Sequence, residues 1–342
     1  MTRTWTLIVL CVALAAVAVS QVAAQFAGVK DLARQAVGKA NADSAAKSDS
    51  PVPDPSKDKA AQAKQAAAAK AAPKTQPAAK APPEGYWIEP MKQVHAKFTG
   101  TKGTFAHFGD SITISQAFWT SLKESHKNMD AQTQAAFDLV NGHMLADCWG
   151  KWKGGSYGND GGQTIRWADK NVEAWLKKLN PEAALIMFGT NDLNGLGVEE
   201  YEAKTRQVVQ KCLDNGTVVI LSTIPPRHGR DEKVKTFVEA VRKVAAEMKV
   251  PLCDYYKAVT DRRPDDWSGK DDKFKDVPGG TYDVPTLISR DGVHPSNPNQ
   301  WASDYSVEGL KHNGYVLRNY VALTSYAEVL KKVVKAEKAN HE

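Results

Sequence analysis

The sequence predicts an α/β fold, a three-layer sandwich in which a parallel sheet of about five strands has helices on both faces. Two observations predict this class: short, continuous apolar runs that end in turn residues, and amphipathic segments that separate these runs. Continuous apolar runs are typical of parallel strands, which are buried on both faces. Their regular alternation with helical segments predicts one parallel sheet that is covered by helices.

The elements follow one another regularly from residue 103 onward. Three strong apolar runs and a weaker fourth predict the strands: GTFAHFGDS (103–111), ALIMFGTND (184–192), TVVILSTIPP (217–226) and VPLCDYYKAV (250–259). Three segments with helical periodicity lie between them: TIRWADKNVEAWLKKL (164–179), VEEYEAKTRQVVQKCL (198–213) and RDEKVKTFVEAVRKVAAEM (230–248). This order of elements predicts a flavodoxin-like sheet.

Residues 1–24 predict a cleaved secretory signal peptide. Arg3 precedes an apolar run from Leu7 to Val19, and the small residues before and at Ala24 fit a signal peptidase site. The run has about 13 residues, fewer than the ~20 that a membrane-spanning helix needs. We therefore expect a secreted or periplasmic protein with no membrane span after cleavage; an uncleaved membrane anchor is the alternative.

Residues 25–84 predict a low-complexity linker that is rich in alanine, lysine and proline. Between residues 41 and 84 there is no aromatic residue and only a single valine. Such a stretch cannot bury enough apolar surface to offset the entropy lost on ordering, so we expect a disordered tether. Residues 85–342 have a globular composition and predict one domain with a single substantial core.

Composition and charge argue against several kinds of partner. The formal net charge of +6 is spread along the 342 residues, and no basic cluster is interleaved with aromatic residues. Nucleic-acid binding is therefore not expected. No glycine-rich phosphate loop follows the first strand, and neither a cofactor nor a metal is predicted. Cleavage of the signal peptide would remove Cys11 and leave Cys148, Cys212 and Cys253. These three are widely spaced and odd in number, which predicts buried thiols, with one disulfide as the alternative.

Polar residues follow the predicted strands at their carboxyl ends, where sites form in parallel sheets. Ser111 follows the first strand in Gly-Asp-Ser, and Asn191 follows the second in Gly-Thr-Asn-Asp. Asp291 and His294 stand three residues apart in DGVHP. A carboxylate that orients an imidazole, whose other nitrogen faces a hydroxyl, activates a serine nucleophile. The alternatives are that Ser111 only caps a helix, or that His228 is the base.

Four short blocks resemble those of the SGNH hydrolases, also called the GDSL esterase/lipase superfamily. They are GDS (109–111), a glycine in GGQT (161–164), GTND (189–192) and DGVHP (291–295). Each block alone is a weak signal, but all four in the family's order are specific. The resemblance extends over about residues 103–325, which is nearly the whole globular part.

This resemblance implies a role for each matching residue. Ser111 would be the nucleophile, His294 the general base and Asp291 the carboxylate that orients the histidine. The oxyanion hole would combine the Ser111 backbone N–H, the Gly162 N–H and the Asn191 side-chain amide. Donors of this kind stabilise the charge of a tetrahedral intermediate by roughly 3–4 kcal/mol each.

Two inserts around the DGVHP block depart from the family pattern. They cover residues 261–285 and 296–311, and we expect both on the active-site side because the block that they flank lies there. Trp267 in the first insert and Trp301 in the second are the predicted substrate-binding residues, since aromatic faces suit stacking on sugar rings. Tyr282 is a further aromatic residue of the first insert. The alternative is that these side chains only anchor the long loops.

We therefore expect a secreted serine esterase that acts through an acyl-enzyme. The predicted substrate is a short acyl ester, an acetyl ester in particular, on a small molecule, a polysaccharide or a cell-wall glycan. One alternative is a lysophospholipase or thioesterase of the same fold. The other is a glycan-binding module without turnover, against which the intact catalytic set argues. The oligomeric state is not predicted.

Overall fold

The structure, a computed structural model, describes residues 82–335. The predicted signal peptide (1–24), most of the predicted linker (25–84) and residues 336–342 lie outside the described residues. Within the described range, no helix is long and apolar enough to cross a membrane.

A four-stranded parallel sheet lies at the centre of the domain. Its strands are β1 (Phe105–Gly109), β2 (Ala183–Met187), β3 (Val218–Ser222) and β4 (Leu252–Cys253), and they are hydrogen-bonded in that order. In register, Phe105 pairs with Ala183, and Ala183 in turn pairs with Val218. Every residue of β1, β2 and β3 is buried, as expected of strands that are covered on both faces.

Ten α-helices accompany the sheet within residues 82–335. They are α1 (Ile88–His95), α2 (Ser111–Ile114), α3 (Thr120–Glu124), α4 (Ala131–His143), α5 (Ile165–Leu179), α6 (Val198–Asp214), α7 (Asp231–Met248), α8 (Tyr255–Arg262), α9 (Gly309–His312) and α10 (Gly314–Val329). The three segments with predicted helical periodicity form α5, α6 and α7, which pack in sequence against one another. Helix α10 packs against α4 and α8. The predicted α/β fold class is confirmed.

The described sheet has four strands, where about five were expected. Along the edge of β1 that does not pair with β2, the chain makes a single bridge, between Gly109 and Asn159. Gly154 and Gly158, which both precede Asn159 in the chain, have φ values of +106° and +86°. These values lie outside the strand region, so the glycine-rich loop turns instead of extending. Strand β4 is also short, because the chain enters α8 at Tyr255.

The cysteines follow the first of the two predicted alternatives. Cys148, Cys212 and Cys253 are all buried, and all three are free thiols. Burial raises the pKa of each thiol, which keeps all three in the protonated, unreactive form.

Candidate active site

Ser111 is the first residue of α2 and follows β1 almost directly. Asp110 caps this short helix, since its carboxylate accepts a hydrogen bond from the Ile112 N–H at 3.0 Å. Gly109 permits the abrupt change from strand to helix, because a side chain at this position would collide with Thr113. The capping role therefore belongs to Asp110, and the Ser111 hydroxyl is directed to another partner.

That partner is His294. The Ser111 Oγ lies 2.8 Å from His294 Nε2, and His294 Nδ1 lies 2.7 Å from Asp291 Oδ2. Hydroxyl, imidazole and carboxylate thus form one hydrogen-bonded series, although Ser111 and His294 are 183 positions apart in the chain. The two side chains that follow the serine in this series are only partly buried, so the site is open to a ligand.

The second oxygen of the Asp291 carboxylate is held by its own loop. Oδ1 accepts hydrogen bonds from the N–H groups of Val293 (2.8 Å) and His294 (2.9 Å) and from the Ser289 hydroxyl (2.8 Å). Burial by itself raises the pKa of Asp291, but the hydrogen bonds from His294, Val293 and Ser289 outweigh it and lower the pKa well below its usual range. Asp291 is therefore a fixed anion beside the imidazole.

The backbone N–H groups of Ser111 and of Gly162 have no acceptor within residues 82–335. The neighbouring Gly161 differs, because its N–H donates to the Asp160 carboxylate at 2.8 Å. Gly162 has φ of +72°, a left-handed conformation that glycine adopts without strain. Of the two adjacent glycines, Gly162 is thus the one whose N–H can serve a ligand.

Asn191 follows β2 and joins the glycine loop to the sheet. Its Nδ2 donates to the Gln163 carbonyl at 2.9 Å and lies 3.4 Å from an oxygen of Asp110. An amide nitrogen carries two N–H donors, and at 3.4 Å the second is only weakly engaged. The Asn191 amide therefore has one well-made hydrogen bond that positions it and a second donor that a ligand oxygen can use.

A cavity of about 330 Å³ opens beside the hydroxyl and the imidazole. Besides Ser111 and His294, it is lined by Ser115, Ala117, Tyr282, Asn297 and Tyr315. The Tyr282 ring stands edge-on to the imidazole, with 6.0 Å between the ring centroids.

The first insert forms part of this cavity wall. Arg290, which immediately precedes Asp291, donates from its guanidinium to the Val277 carbonyl at 2.6 Å, and its N–H donates to the Thr281 carbonyl at 3.0 Å. These bonds fold the insert back against the DGVHP block. Tyr282 is thereby brought to the site, as was expected of the inserts in general.

Neither predicted substrate-binding tryptophan lines this cavity. Trp267 packs partly buried against the core, and its carbonyl accepts hydrogen bonds from the N–H groups of Leu287 and Ile288, just after the insert. Trp301 stacks on His312 with 4.9 Å between ring centroids. Both contacts fit the alternative in which such residues anchor long loops.

The rival base does not contact the serine. His228 Nδ1 lies 3.2 Å from the Ser268 hydroxyl and 3.5 Å from the carboxylate of Asp271. Its side chain makes no hydrogen bond to Ser111 among the described contacts. Over the same residues, 82–335, no three histidine, cysteine, aspartate or glutamate side chains are grouped so that they could hold a metal ion.

Two solved structures that are similar to this chain are both esterases. Esterase EstA from Pseudoalteromonas sp. has 16% identity and a TM-score of 0.42, over 67% of this chain and 99% of that one. A variant of Axe2, an acetylxylan esterase from Geobacillus stearothermophilus, has 15% identity and a TM-score of 0.40, over 69% and 96%. Nothing about the substrate of this chain follows from similarity at this level. A search of curated proteins finds no match.

The order of the blocks and their meeting at one sheet edge define an α/β ester hydrolase. The model of the GDSL-like lipase/acylhydrolase family matches residues 107–298, which is more than half of the chain and includes all four blocks. The chain belongs to the GDSL-like lipase/acylhydrolase family.

Proposed function

We propose that this enzyme hydrolyses short acyl esters, with Ser111 as nucleophile, His294 as general base and Asp291 as the carboxylate that orients the histidine. The observation that carries the proposal is the hydrogen-bonded series from the hydroxyl through the imidazole to the carboxylate, at 2.8 and 2.7 Å. At such distances a base can take the proton of a hydroxyl that attacks a carbonyl carbon.

In the first half-reaction, Ser111 Oγ bonds to the acyl carbon and its proton passes to His294 Nε2. Asp291 stabilises the imidazolium that forms. The charge of the tetrahedral intermediate lies on the former carbonyl oxygen, where the N–H groups of Ser111 and Gly162 and the Asn191 amide can donate to it. The imidazolium then gives its proton to the leaving alcohol as the carbon–oxygen bond breaks, and an acyl-enzyme remains.

In the second half-reaction, His294 takes a proton from water as the water oxygen bonds to the acyl carbon. The same donors stabilise the second tetrahedral intermediate. Its collapse breaks the bond to Ser111 Oγ, which recovers the proton from the imidazolium. The products are the free acid and the starting enzyme.

The proposed substrate is a short acyl group, acetyl in particular, on a carbohydrate alcohol. Of the residues that line the cavity, Ala117 is the only aliphatic one, and the volume is about 330 Å³. A lysophospholipase or thioesterase for long chains needs an apolar channel, which this lining does not supply. Tyr282 is 45% exposed, and its ring adjoins His294, where the alcohol receives its proton. An exposed aromatic face at this point suits a sugar ring.

The proposal includes export and a tether. Its support is the sequence alone: a basic residue followed by an apolar run within residues 1–24, and an alanine-, lysine- and proline-rich stretch within residues 25–84. An enzyme with this organisation would act on glycans outside the cytoplasm, with its domain at the end of a flexible segment.

The test is a series of p-nitrophenyl esters from acetyl to palmitoyl, with the full-length protein, Ser111→Ala and the exposed-serine control Ser125→Ala. We expect kcat/KM to be highest for the shortest chains, to be lost in Ser111→Ala and to be retained in the control. Acetate release from an acetylated polysaccharide then tests the alcohol. A preference for palmitoyl contradicts the short-chain proposal, and turnover equal to that of Ser111→Ala on every ester contradicts catalysis.

A further inference from the structure

The segment that follows Ser111 cannot fix its own geometry. Helix α2 is a single turn, and its internal support consists of bonds to the Asp110 carbonyl from the Thr113 N–H (2.9 Å) and the Ile114 N–H (3.0 Å). One turn has no cooperative stability, and the carbonyls at its end have no partner within it. Farther along, Trp119 has φ of +68°, a conformation that bulky residues rarely adopt. Contacts from elsewhere must hold this segment, residues 112–119.

Helix α10 supplies the first set of contacts. Arg318 is only 2% exposed; its guanidinium donates to the Ile112 carbonyl and, at 2.9 Å, to the Thr113 hydroxyl. The next residue, Asn319, accepts a hydrogen bond from the Trp119 N–H at 2.8 Å. The two ends of the segment are thus bound to adjacent residues of one long helix.

Lys153 supplies the second set of contacts. Its ammonium donates to the carbonyls of Thr113 (2.8 Å), Ser115 (3.2 Å) and Phe118 (3.3 Å). An ammonium has three N–H donors, so its donors match the three carbonyls in number. The Phe118 ring lies close to both basic side chains, with its centroid 5.5 Å from Lys153 Nζ and 3.8 Å from the central carbon of the Arg318 guanidinium.

The positions of the Lys153 and Arg318 charges lower the stability of the fold. All the acceptors described above are neutral oxygen atoms, so no carboxylate hydrogen-bonded to either cation offsets the loss of hydration. The two positive charges also repel each other. Local arrangements that cost stability are expected at functional sites. Together these contacts cover the segment from Ile112 to Phe118, directly after the serine.

We propose that Lys153 and Arg318 are positioning residues, which hold residues 112–119 so that the Ser111 hydroxyl stays in line with His294. The inference rests on the proposed function, because it assigns these residues to the nucleophile. Neither residue touches the reacting atoms in this arrangement. Both act through the backbone of α2 and the turn that follows it.

The charge of Lys153 is sensitive to pH. Burial, and then the charge of Arg318 on α10, lower the pKa of Lys153 to about 7. The other group that faces it is His107 on β1, whose pKa is lowered well below its usual range by burial and by both cations, so it is uncharged. Asp110 faces Arg318. Above about pH 7 the amine has two N–H donors for three carbonyls, so we expect kcat to fall there.

The test uses Lys153→Met in the full-length protein, with Lys178→Met as the matched control. Lys178 also lies over an aromatic ring, 3.8 Å from that of Tyr157, but it donates to Ser156, outside the segment. Labelling with a fluorophosphonate, carried to completion, counts the reactive serines. The measurements are kcat and KM per labelled site for p-nitrophenyl acetate across the pH range, and hydrogen exchange of the amides in residues 113–119.

For Lys153→Met we expect a loss of about a hundredfold in kcat, which is the scale of a misplacement of about 1 Å. KM should stay within about twofold, since binding is not the function removed. The fall of kcat above neutral pH should disappear, and exchange in residues 113–119 should become faster. Arg318→Lys, which retains a charge, should show a smaller loss of the same kind. Lys178→Met should match the wild type in every measurement.

Two results would overturn the inference. One is a Lys153→Met enzyme with the kcat and the exchange of the control. The other is a smaller number of labelled sites with kcat per site unchanged, which is the result of a purely structural role. If the wild type hydrolyses no ester, the proposed function fails and the positioning role fails with it. The exchange difference between Lys153→Met and Lys178→Met then still shows whether Lys153 holds residues 112–119.

Discussion

The two ends of β2 carry buried carboxylates whose surroundings differ in charge. Glu182 immediately precedes the strand and is fully buried. Its carboxylate lies 3.0 Å from His95 Nε2 and 2.7 Å from His143 Nε2, and it accepts a hydrogen bond from the Gly103 N–H at 2.7 Å. Burial raises the pKa of Glu182, but the bonds from His143, His95 and Gly103 prevail and lower the pKa to about 2.

Asp192 follows the other end of β2 and has fewer partners. Its two oxygens share the Ile165 N–H, at 3.1 Å each, and a second buried carboxylate, Asp110, faces it. Burial, together with the charge of Asp110, raises the pKa of Asp192 to about 6. Burial likewise raises the pKa of Asp110 to about 6. At the amino end of the strand hydrogen bonds compensate the negative charge, whereas at the carboxyl end burial outweighs the charges of Arg318 and Arg166 that act on the two carboxylates.

The difference bears on the catalytic role proposed for Asp291 and His294. Both histidines of the Glu182 cluster contact one carboxylate and line a cavity of about 310 Å³, but within residues 82–335 neither is hydrogen-bonded to a hydroxyl. His294 differs because its second nitrogen lies on the Ser111 hydroxyl. The amino end of the sheet is built for stability, whereas the carboxyl end retains unfavourable charges next to reactive groups.

The largest expected effect is the loss of activity when the proposed nucleophile or base is removed. Ser111→Ala and His294→Ala should each lower kcat by about 10⁴- to 10⁶-fold, and the double variant should be hardly worse, because the groups act as a unit. Steady-state kinetics on p-nitrophenyl acetate measures both. His228→Gln is the control and should remain active. The assignment of His294 as the base would be wrong if the losses add in the double variant. It would also be wrong if His228→Gln is inactive while His294→Ala is active.

The carboxylate of the reactive pair should come next in size. Asp291→Asn keeps the shape of the side chain but favours the wrong imidazole tautomer, so we expect kcat to fall by about 10⁴-fold. Circular dichroism should show an unchanged fold. The control is Asp271→Asn beside His228, which should keep full kcat. A fully active Asp291→Asn enzyme would reduce DGVHP to a turn without a catalytic role.

Asn191→Ala tests the donor at the carboxyl end of β2. Removal of one oxyanion-hole donor should lower kcat by about 10²- to 10³-fold with little change in KM, because the donor acts mainly in the transition state. The exposed residue Asn194 on the same turn provides the control, Asn194→Ala, which should leave both constants unchanged. A raised KM with kcat intact would make Asn191 a substrate-binding residue instead.

Glu182→Gln tests the amino end of β2, where stability and not activity should change. A pKa lowered from 4.5 to about 2 corresponds to about 3 kcal/mol of stability, present above about pH 4.5 and lost as pH falls through about 2. Chemical denaturation should therefore show the variant less stable at neutral pH, with kcat per folded molecule unchanged. Glu199→Gln, an exposed position, is the control. A kcat loss at full stability would link this cluster to catalysis.

The sequence predicts the strands and the proposed reactive residues because both depend on local patterns. An apolar run of five residues identifies β2 by itself, and the polar residues just after such runs meet at one edge in any parallel sheet. The cavity wall could not be predicted in this way. Tyr282 reaches the site because the Arg290 side chain folds the insert back, and aromatic composition alone favoured Trp267 and Trp301.

Contacts between distant parts of the chain account for the other features that the sequence did not reveal. Arg318 and Ile112 are 206 positions apart, and Glu182 and His95 are 87 positions apart. No periodicity or motif links such residues, because their proximity results from the packing of helices on the sheet. A buried arginine in an apolar helix pattern such as that of α10 is the one local signal that could have indicated the first of these contacts.

The smallest expected effect is on stability at the carboxyl end of β2, and its sign is opposite to that at the amino end. A raised pKa means that the contribution of Asp192 to stability is favourable below about pH 4 and is lost as pH rises through about 6.

Asp192→Asn removes the charge, and its side-chain oxygen can still accept a hydrogen bond from the Ile165 N–H. The raised pKa sets an upper limit of about 3 kcal/mol on the stability that the variant gains. The asparagine amide N–H lies less favourably against the Ile165 N–H, which reduces the expected gain to about 1 kcal/mol. The variant should therefore be more stable than the wild type above pH 6, and the gain should vanish near pH 4, as measured by denaturation at both pH values. Asp214→Asn, at an exposed position, should show no such dependence. A destabilised Asp192→Asn at neutral pH would mean that the charge at this end of the strand is compensated after all, and the contrast with Glu182 would not hold.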